Sequence, residues 1–374
     1  MKVSHIDLLC CLLCRGPLSL SQSHVVERKN GEIEFGVLVC KNCSSLYPII
    51  NGVGVFFLRN QLQHHLNQYE KGTCNRLGVR LEGLSGAMSH QEEAQLRVEK
   101  NWSFQWNKTY EYTIEDLEGQ GFFGEELFFT FIPIGRETLK NKNVIVWCCG
   151  SGKEAYHVAK HSPAVLVANE IGDEIYKIRE KLPEDINLLL IRCDMTNNPL
   201  IEGWADISIC DHALQHIPDH QLGFKKLLDA LKLGGVAAIC VYSYENNFLM
   251  THIIEPLKSV FHRFSLKMQQ ALAFPAAAII YFLIHCIYVP VSKIVPESFC
   301  NRLPLFDHMI FWAKDSFSFI WLACFDLIQA PVSYHFRERE VIEMANNNNV
   351  EILKLINTHG TTWSFVGRKK GVKR

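Results

Sequence analysis

The sequence has no surplus of charge of either sign: 38 Lys and Arg stand against 39 Asp and Glu in 374 residues, a formal net charge of −1. That removes the electrostatic basis for a nucleic-acid binder whose whole surface is basic, though a local basic patch stays allowed. The polar excess of a disordered chain is missing too, since 48% of residues are hydrophobic and 21% charged. A cleavable leader lacks its parts: residues 6–13 are apolar, but only Lys2 precedes them and no small-residue cleavage site follows. That segment reads as a strand and turn, and the expected location is the cytoplasm. The cysteines form no regular secreted framework; Cys148, Cys149, Cys193, Cys210 and Cys240 lie inside apolar runs, as small core residues do. What is there is length, enough for two or three compact units.

Cys11-Leu12-Leu13-Cys14 is answered by Cys40-Lys41-Asn42-Cys43. Two such pairs supply four soft thiolates, the set for a tetrahedral structural zinc ion. Residues 33–39 between them read as a strand. A segment this short buries little core, so a metal cross-link would supply stability that packing cannot. Reduced or disulfide-linked cysteines without metal are the alternative. Cys10 is a spare neighbour, and a four-thiolate site leaves no open position for catalysis. CLLCRGPL followed by LVCKNCSSLYPIINGV resembles the Trm112-like zinc-ribbon family, related to the small activator subunit of several methyltransferases. In that family the ribbon is a structural or docking element, so residues 1–60 are expected to form a zinc ribbon with possible protein docking.

Residues 61–140 read as a linker and N-terminal helical lid. The polar stretch 60–86 suggests a linker or loosely attached helix. Residues 94–100 read as helix, and Trp102, Phe104 and Trp106 follow it. Three large aromatics this close must cover something, either the next domain or a ligand.

From residue 141 to 247, buried strands alternate with helices. The runs 144–149, 164–169, 188–193, 206–210 and 235–242 are apolar, and they end in Gly150-Ser151-Gly152, Glu170, Asp194 and Asp211. Five such strands give a doubly wound parallel sheet whose ligand sits beyond the carboxyl ends. The glycines permit close backbone approach, and Glu170 follows them by about eighteen residues, the spacing of an acid that meets a ribose. Asp194 suits an exocyclic amine, so the set suits an adenosine without a pyrophosphate.

The same stretch is similar to class I S-adenosylmethionine-dependent methyltransferases of the type 11/25-like group. VIVWCCGSGKE stands at the glycine-rich first motif, VANEIGDEI at the ribose acid, RCDMTNNPL at the adenine loop, DISICDHALQHIPD at the fourth strand and LKLGGVAAICVYSYENN at the fifth. The resemblance implies a Rossmann-like seven-stranded sheet. It assigns Cys149, Gly150, Ser151, Gly152, Glu170, Ile171, Asp194, Met195 and Asp211 to S-adenosyl-L-methionine. Two positions depart: the family commonly has an acid where Val146 stands and a glycine where Cys148 stands. The departure puts cofactor affinity, pose or activity in doubt.

Residues 248–330 form a hydrophobic insertion before the last two strands. No Asp, Glu, Lys or Arg occurs from residue 268 to 292, which as one helix would reach about 37 Å against a bilayer core of about 30 Å. Pro275 and Pro290 are expected to interrupt it. The closing strands, 350–357 and 362–368, must rejoin the same sheet, which a single crossing would forbid. The expectation is a helical cap walling the substrate side, with peripheral membrane contact through 268–292 allowed. Residues 331–374 supply the last helix, the closing hairpin and a basic tail ending in Lys373 and Arg374.

Methyl transfer to oxygen or nitrogen asks the protein to align reactants and manage one proton. His212, His216 and Tyr242 are the catalytic candidates, and Trp102, Trp106, Tyr244 and His335 are expected to line the substrate. Each of them is equally readable as a packed or capping side chain. The expected acceptor is a small molecule, a glycan-linked or a lipid-like compound. An RNA methyltransferase gripping RNA through the ribbon, or a noncatalytic binding protein, are the alternatives.

Overall fold

The computed structural model describes residues 1–81, 88–109, 111–300 and 302–371. The end of the expected linker (82–87) and the tail residues Lys373 and Arg374 lie outside them.

Strands β1 Leu18–Leu20, β2 Glu27–Lys29, β3 Glu32–Cys40, β4 Leu46–Ile50 and β5 Val53–Val55 pair antiparallel near the N-terminus. Next come β6 Asn143–Val146, β7 Val165–Glu170, β8 Leu188–Arg192, β9 Ala205–Asp211 and β10 Leu231–Tyr242, all parallel, then the hairpin β11 Val350–Thr358 and β12 Thr362–Lys369. One mixed sheet contains them in the order β1-β3-β4-β5-β8-β7-β6-β9-β10-β12-β11, with β2 paired to β3. The crossover order around β6 puts the tips of β6 and β9 side by side, which is where a doubly wound sheet opens a crevice.

Both faces of the sheet are covered, so the parallel strands are apolar on both sides. Val144, Val146, Leu166, Ala168, Ile207 and Ile209 pack on one face with Phe123, Phe128 and Phe325. Ile145, Trp147, Val167, Leu189 and Cys210 face the other, against Phe224, Val341 and the N-terminal residues Leu9, Ile49 and Phe56. The period-two alternation of each strand distributes them.

The N-terminal meander is not a separate bead. Gly54 and Val55 of β5 pair in parallel with Ile191 and Arg192 of β8. Cys10 N–H donates to the Pro199 carbonyl at 2.7 Å and its thiol donates to the same oxygen at 3.1 Å. The Arg15 guanidinium donates to the carbonyls of Asn198 and Leu200 at 2.8 and 2.6 Å. The spare cysteine is thus a docking contact.

Three expectations are corrected. Residues Val3–Leu8 form a short 3-10 helix, not a strand, with His5 and Ile6 turned inward. The polar stretch after residue 60 is not loose: helix Gln68–Arg76, capped by Asn67, is held by the buried Glu70 carboxylate, which Arg192 of β8 engages. Pro275 and Pro290 do not break the insertion helix, which runs from Leu266 to Ile294 over 29 residues. A π-turn at Ile284–Tyr288 directly precedes Pro290, and that wider winding accommodates a residue with no N–H to give.

That long helix is also only partly a cap. Ala273, Ala277 and Ile284 are buried, and helix Phe317–Gln329 packs along it, yet Phe274, Ile279 and Phe282 are exposed.

Candidate functional site

At the N-terminal end, Cys11, Cys14, Cys40 and Cys43 bring their sulfurs within 4.8 Å of one another. The neighbouring Sγ pairs Cys11–Cys43, Cys14–Cys40 and Cys14–Cys43 are each 3.5 Å apart. Four thiolates around zinc at about 2.3 Å would stand a little under 4 Å apart, so the set fits the ion. Tyr47 Oη lies 3.1 Å from Cys11 Sγ, and Ser45 Oγ lies 3.1 Å from Cys43 Sγ, so hydroxyls steady two of the ligands. No open ligand position is left, and the centre is structural.

The second site is built at the tips of the parallel strands. β6 runs into a turn where Cys148, Gly150 and Gly152 all have positive φ, +50°, +52° and +103°. Cys148 therefore keeps the left-handed backbone that a glycine would adopt, with its Sγ 3.6 Å from Met195 Sδ. Trp147, which precedes it, points away from the crevice: its indole donates to Ser208 Oγ at 2.8 Å inside the opposite core layer.

Glu170, at the end of β7, is buried and turned toward the glycine turn. Its Oε2 accepts from Gly150 N–H at 2.7 Å, and its Oε1 accepts from Ile171 and Gly172 N–H at 2.7 and 3.3 Å. Burial raises its pKa while those three amides oppose the rise. Oε1 is thereby filled, and Oε2 keeps one further lone pair for a hydroxyl donor. Asp194 caps its own turn through Thr196 N–H and Oγ1, both at 2.8 Å. A small cavity of about 40 Å³ lies against Asp194 and Asn197, walled by Phe57, His65, Glu92 and Gln95 from the segment between β5 and β6. Gly150, Glu170 and Asp194 thus line one edge, and in the chemistry of their donors and acceptors they fit an adenosine-bearing cofactor.

Asp211, at the tip of β9, is wholly enclosed by cations. Lys153 Nζ lies 3.3 Å from its Oδ2, and His212 Nδ1 2.7 Å from its Oδ1. Against burial, His212 and Lys153 hold Asp211 at about 2. Against burial, Cys240 and Asp211 lift His212 to about 10. His212, at φ +49°, is a cation at neutral pH. His216 is its opposite. Burial pushes it down to about 3, its Nδ1 donates to the Val332 carbonyl at 2.7 Å, and its Nε2 is buried with no hydrogen-bond partner. Trp102 lies over the His216 ring at 4.8 Å, and Tyr242 meets that ring edge-on at 5.4 Å. Burial holds the Tyr242 proton on. His335 faces Tyr242 at 5.6 Å. Tyr244, by contrast, is stacked under Arg337 at 3.6 Å and edge-on to His252.

Trp106 lies over the glycine turn: a Cβ on Gly150 would meet its Nε1 at 3.1 Å. The two tryptophans therefore cover different parts of one crevice, Trp106 the turn and Trp102 the histidine. Gln105 between them accepts from Gln329 Nε2 at 3.0 Å. Asp326, on the same helix as Gln329, is buried and raised to about 6 by that burial. Asp326 Oδ1 and Gln329 Oε1, like His216 Nε2, have no hydrogen-bond partner. Lys153, Gln105, Asp326 and Gln329 escaped the sequence reading. An acid inside the apolar run Phe317–Gln329 was the signal for Asp326.

Residues 2–52 match the family model described as Trm112p-like protein, and residues 147–239 match that of the methyltransferase domain. Among curated protein sequences, none matches this chain. The chain is similar to a solved complex between the Haloferax volcanii Trm112 methyltransferase activator and a putative methyltransferase (10% identity, TM-score 0.43, covering 73% of this chain and 99% of that one). It is also similar to Synechocystis PCC 6803 magnesium protoporphyrin IX methyltransferase with bound SAH (9%, TM-score 0.39, 72% and 94%). A third is Burkholderia thailandensis 1,6-didemethyltoxoflavin-N1-methyltransferase (9%, TM-score 0.41, 77% and 93%). The chain carries a Trm112p-like segment at residues 2–52, whose four cysteines suit Zn2+, and a methyltransferase domain at residues 147–239.

Proposed function

We propose that this enzyme methylates an oxygen or nitrogen atom of a small-molecule, glycan-linked or lipid-like acceptor, with His216 as the general base. The observation that carries this is the orphaned His216 Nε2, a neutral buried acceptor whose other nitrogen is fixed on the Val332 carbonyl. With Asp326 Oδ1 and Gln329 Oε1 it makes three buried acceptors beneath the lid, each needing a donor. An acceptor bearing O–H or N–H groups supplies donors.

The cofactor, when bound, supplies an electrophilic methyl group on a sulfonium. Gly150, Gly152 and Glu170 would hold its methionine and ribose part, and Asp194 with Met195 its adenine. Trp106 over the turn excludes water and orients what lies beneath. His216 takes the acceptor's proton at Nε2. His212, already protonated and tied to Asp211, fixes the electrostatics of the β9 tip instead of accepting a proton. Tyr242 positions the His216 ring by its edge contact. Strands β8-β7-β6-β9-β10-β12-β11 serve as the seven-stranded methyltransferase sheet, and the ribbon's docking role is turned inward, onto β8.

Calorimetric titration with S-adenosylhomocysteine, repeated on Glu170→Ala, tests the cofactor half. Tight binding weakened at least tenfold by the substitution is expected, and no binding by either protein overturns it. A panel of hydroxyl and amine acceptors, run with wild type and His216→Asn, tests the base.

A further inference from the structure

We infer that the outward face of helix Leu266–Ile294, with helix Glu255–Phe261 leading into it, seats this enzyme on an anionic lipid bilayer.

The two helices are inverted relative to helices washed by water. Lys258 and Gln269 are buried, at 5% and 3% exposure, while Leu257, Phe264, Met268, Ile279 and Phe282 point outward, the last two at 60%. The inward donors are satisfied, while Gln269 Oε1 has no hydrogen-bond partner. Lys258 Nζ donates to Glu255 at 2.8 Å and to Ser333 Oγ at 2.7 Å, and Gln269 Nε2 donates to the Phe264 carbonyl at 2.9 Å. The inward apolar groups are small: Ala273 and Ala277 let helix Phe317–Gln329 approach, and Trp321 Nε1 donates to the Gln270 carbonyl at 2.8 Å. A helix that turns its amides and ammonium in and its phenylalanines out is matched to an apolar exterior.

Charge selects the occupant. No Asp or Glu occurs from residue 256 to 296, whereas Arg263 and Lys267 are exposed at one end of the apolar face and Lys293 at the other. Cations flanking an apolar stripe suit an anionic headgroup layer. A second copy laid antiparallel on the same face would instead set Lys293 against Lys267.

The contact is with one leaflet. One side of the helix belongs to the enzyme, through Phe274 against Phe317 and Phe319 against Phe122. The covering helix spans 13 residues, about 20 Å, short of a bilayer core of about 30 Å. That covering helix also carries Asp326 and Gln329 into the crevice. Among the acceptors proposed above, whose methylation this step takes as given, the placement favours one presented from the membrane.

The test is co-sedimentation of the full-length protein with phosphatidylcholine vesicles and with vesicles about one-third phosphatidylglycerol. Binding to the anionic vesicles, at least tenfold tighter than to the neutral ones and weakened by salt, is expected. Ile279→Asp with Phe282→Asp should weaken it at least tenfold, and Arg263→Glu with Lys267→Glu should remove the preference for the anionic lipid. Both pairs are exposed, so unchanged thermal melts and S-adenosylhomocysteine binding serve as controls. Failure to bind either vesicle overturns the inference, as does a dimer that dissociates on Phe282→Asp. Nucleoside binding without vesicle binding sinks this inference alone, and vesicle binding without nucleoside binding sinks the methyltransferase reading alone.

Discussion

Arg192 donates from Nη2 to Glu99 Oε1 at 2.8 Å, and this buried pair fastens helix His90–Phe104 to the end of β8. The same guanidinium engages Glu70 through Nη1, the His65 carbonyl at 2.7 Å and the Ile171 carbonyl at 3.0 Å, so nearly all its donors are used. Helices Gln68–Arg76 and His90–Phe104 both hang on it. Arg192→Met should lower stability by about 3–5 kcal/mol, because it strands two buried carboxylates. Adding Glu70→Gln and Glu99→Gln should recover part of that. Urea titration reads both, and a loss below about 1 kcal/mol for Arg192→Met would show the network to be dispensable.

The five parallel strands were legible because strands buried on both faces are continuous apolar runs, and their tips are where Gly150, Glu170, Asp194 and Asp211 stand. Arg192 was not. It closes an apolar run like any strand-end charge, and its partners lie 122 and 93 residues away, a distance no local pattern spans. Nor does Val53–Val55 announce itself as an edge partner of β8, since three small apolar residues fit any turn. The histidines were found as a group, but their division into a cation and a neutral acceptor depends on which partner each meets, Asp211 or the Val332 carbonyl. The reading of Pro290 as a helix breaker failed because helix winding adjusts locally, at Ile284–Tyr288, where composition is silent, while Pro275 stands inside the continuous helix Leu266–Leu283.

Zinc removal should reach far beyond the ribbon. The four cysteines hold the turns from which Cys10 and Arg15 bond to the 198–200 segment, and the meander they close pairs with β8. Chelation at neutral pH is expected to release one zinc per chain and to lower the midpoint of the whole unfolding transition, without a separate early step. Cys14→Ser should do the same. Calorimetry that shows the ribbon melting alone, with the main transition unmoved, would contradict the coupling.

Activity and stability should respond to pH through different histidines. His216 sits at about 3, so the base is already neutral and kcat/KM should be flat from about pH 5 to 8. A limb near 6.5 would assign the base elsewhere. His216→Asn should lower kcat by about 10²–10⁴. His212 sits at about 10, above the ordinary value of about 6.5. Its stabilisation is complete below about pH 6.5 and is lost as pH rises toward 10. His212→Gln should therefore flatten the alkaline slope of the stability curve in guanidinium titrations. The Asp211 contribution, held at about 2, is lost only in acid, as pH falls below about 4.

Cys148 holds a left-handed conformation at φ +50° on the turn that also carries Gly150 and Gly152. A side chain there is tolerated because its sulfur finds Met195 Sδ at 3.6 Å. Cys148→Gly removes the steric cost of that backbone but also that contact and some chain stiffness, so stability should stay within about 1 kcal/mol of wild type. Cys148→Val places a branched Cβ at positive φ and should cost about 1–3 kcal/mol. The nucleoside should bind Cys148→Gly at least as tightly as wild type and Cys148→Val more weakly, since only valine resists the turn that brings Gly150 N–H onto Glu170. If valine binds and melts like wild type, the positive φ at this position is not what shapes the turn, and the departure at Cys148 has no bearing on cofactor affinity.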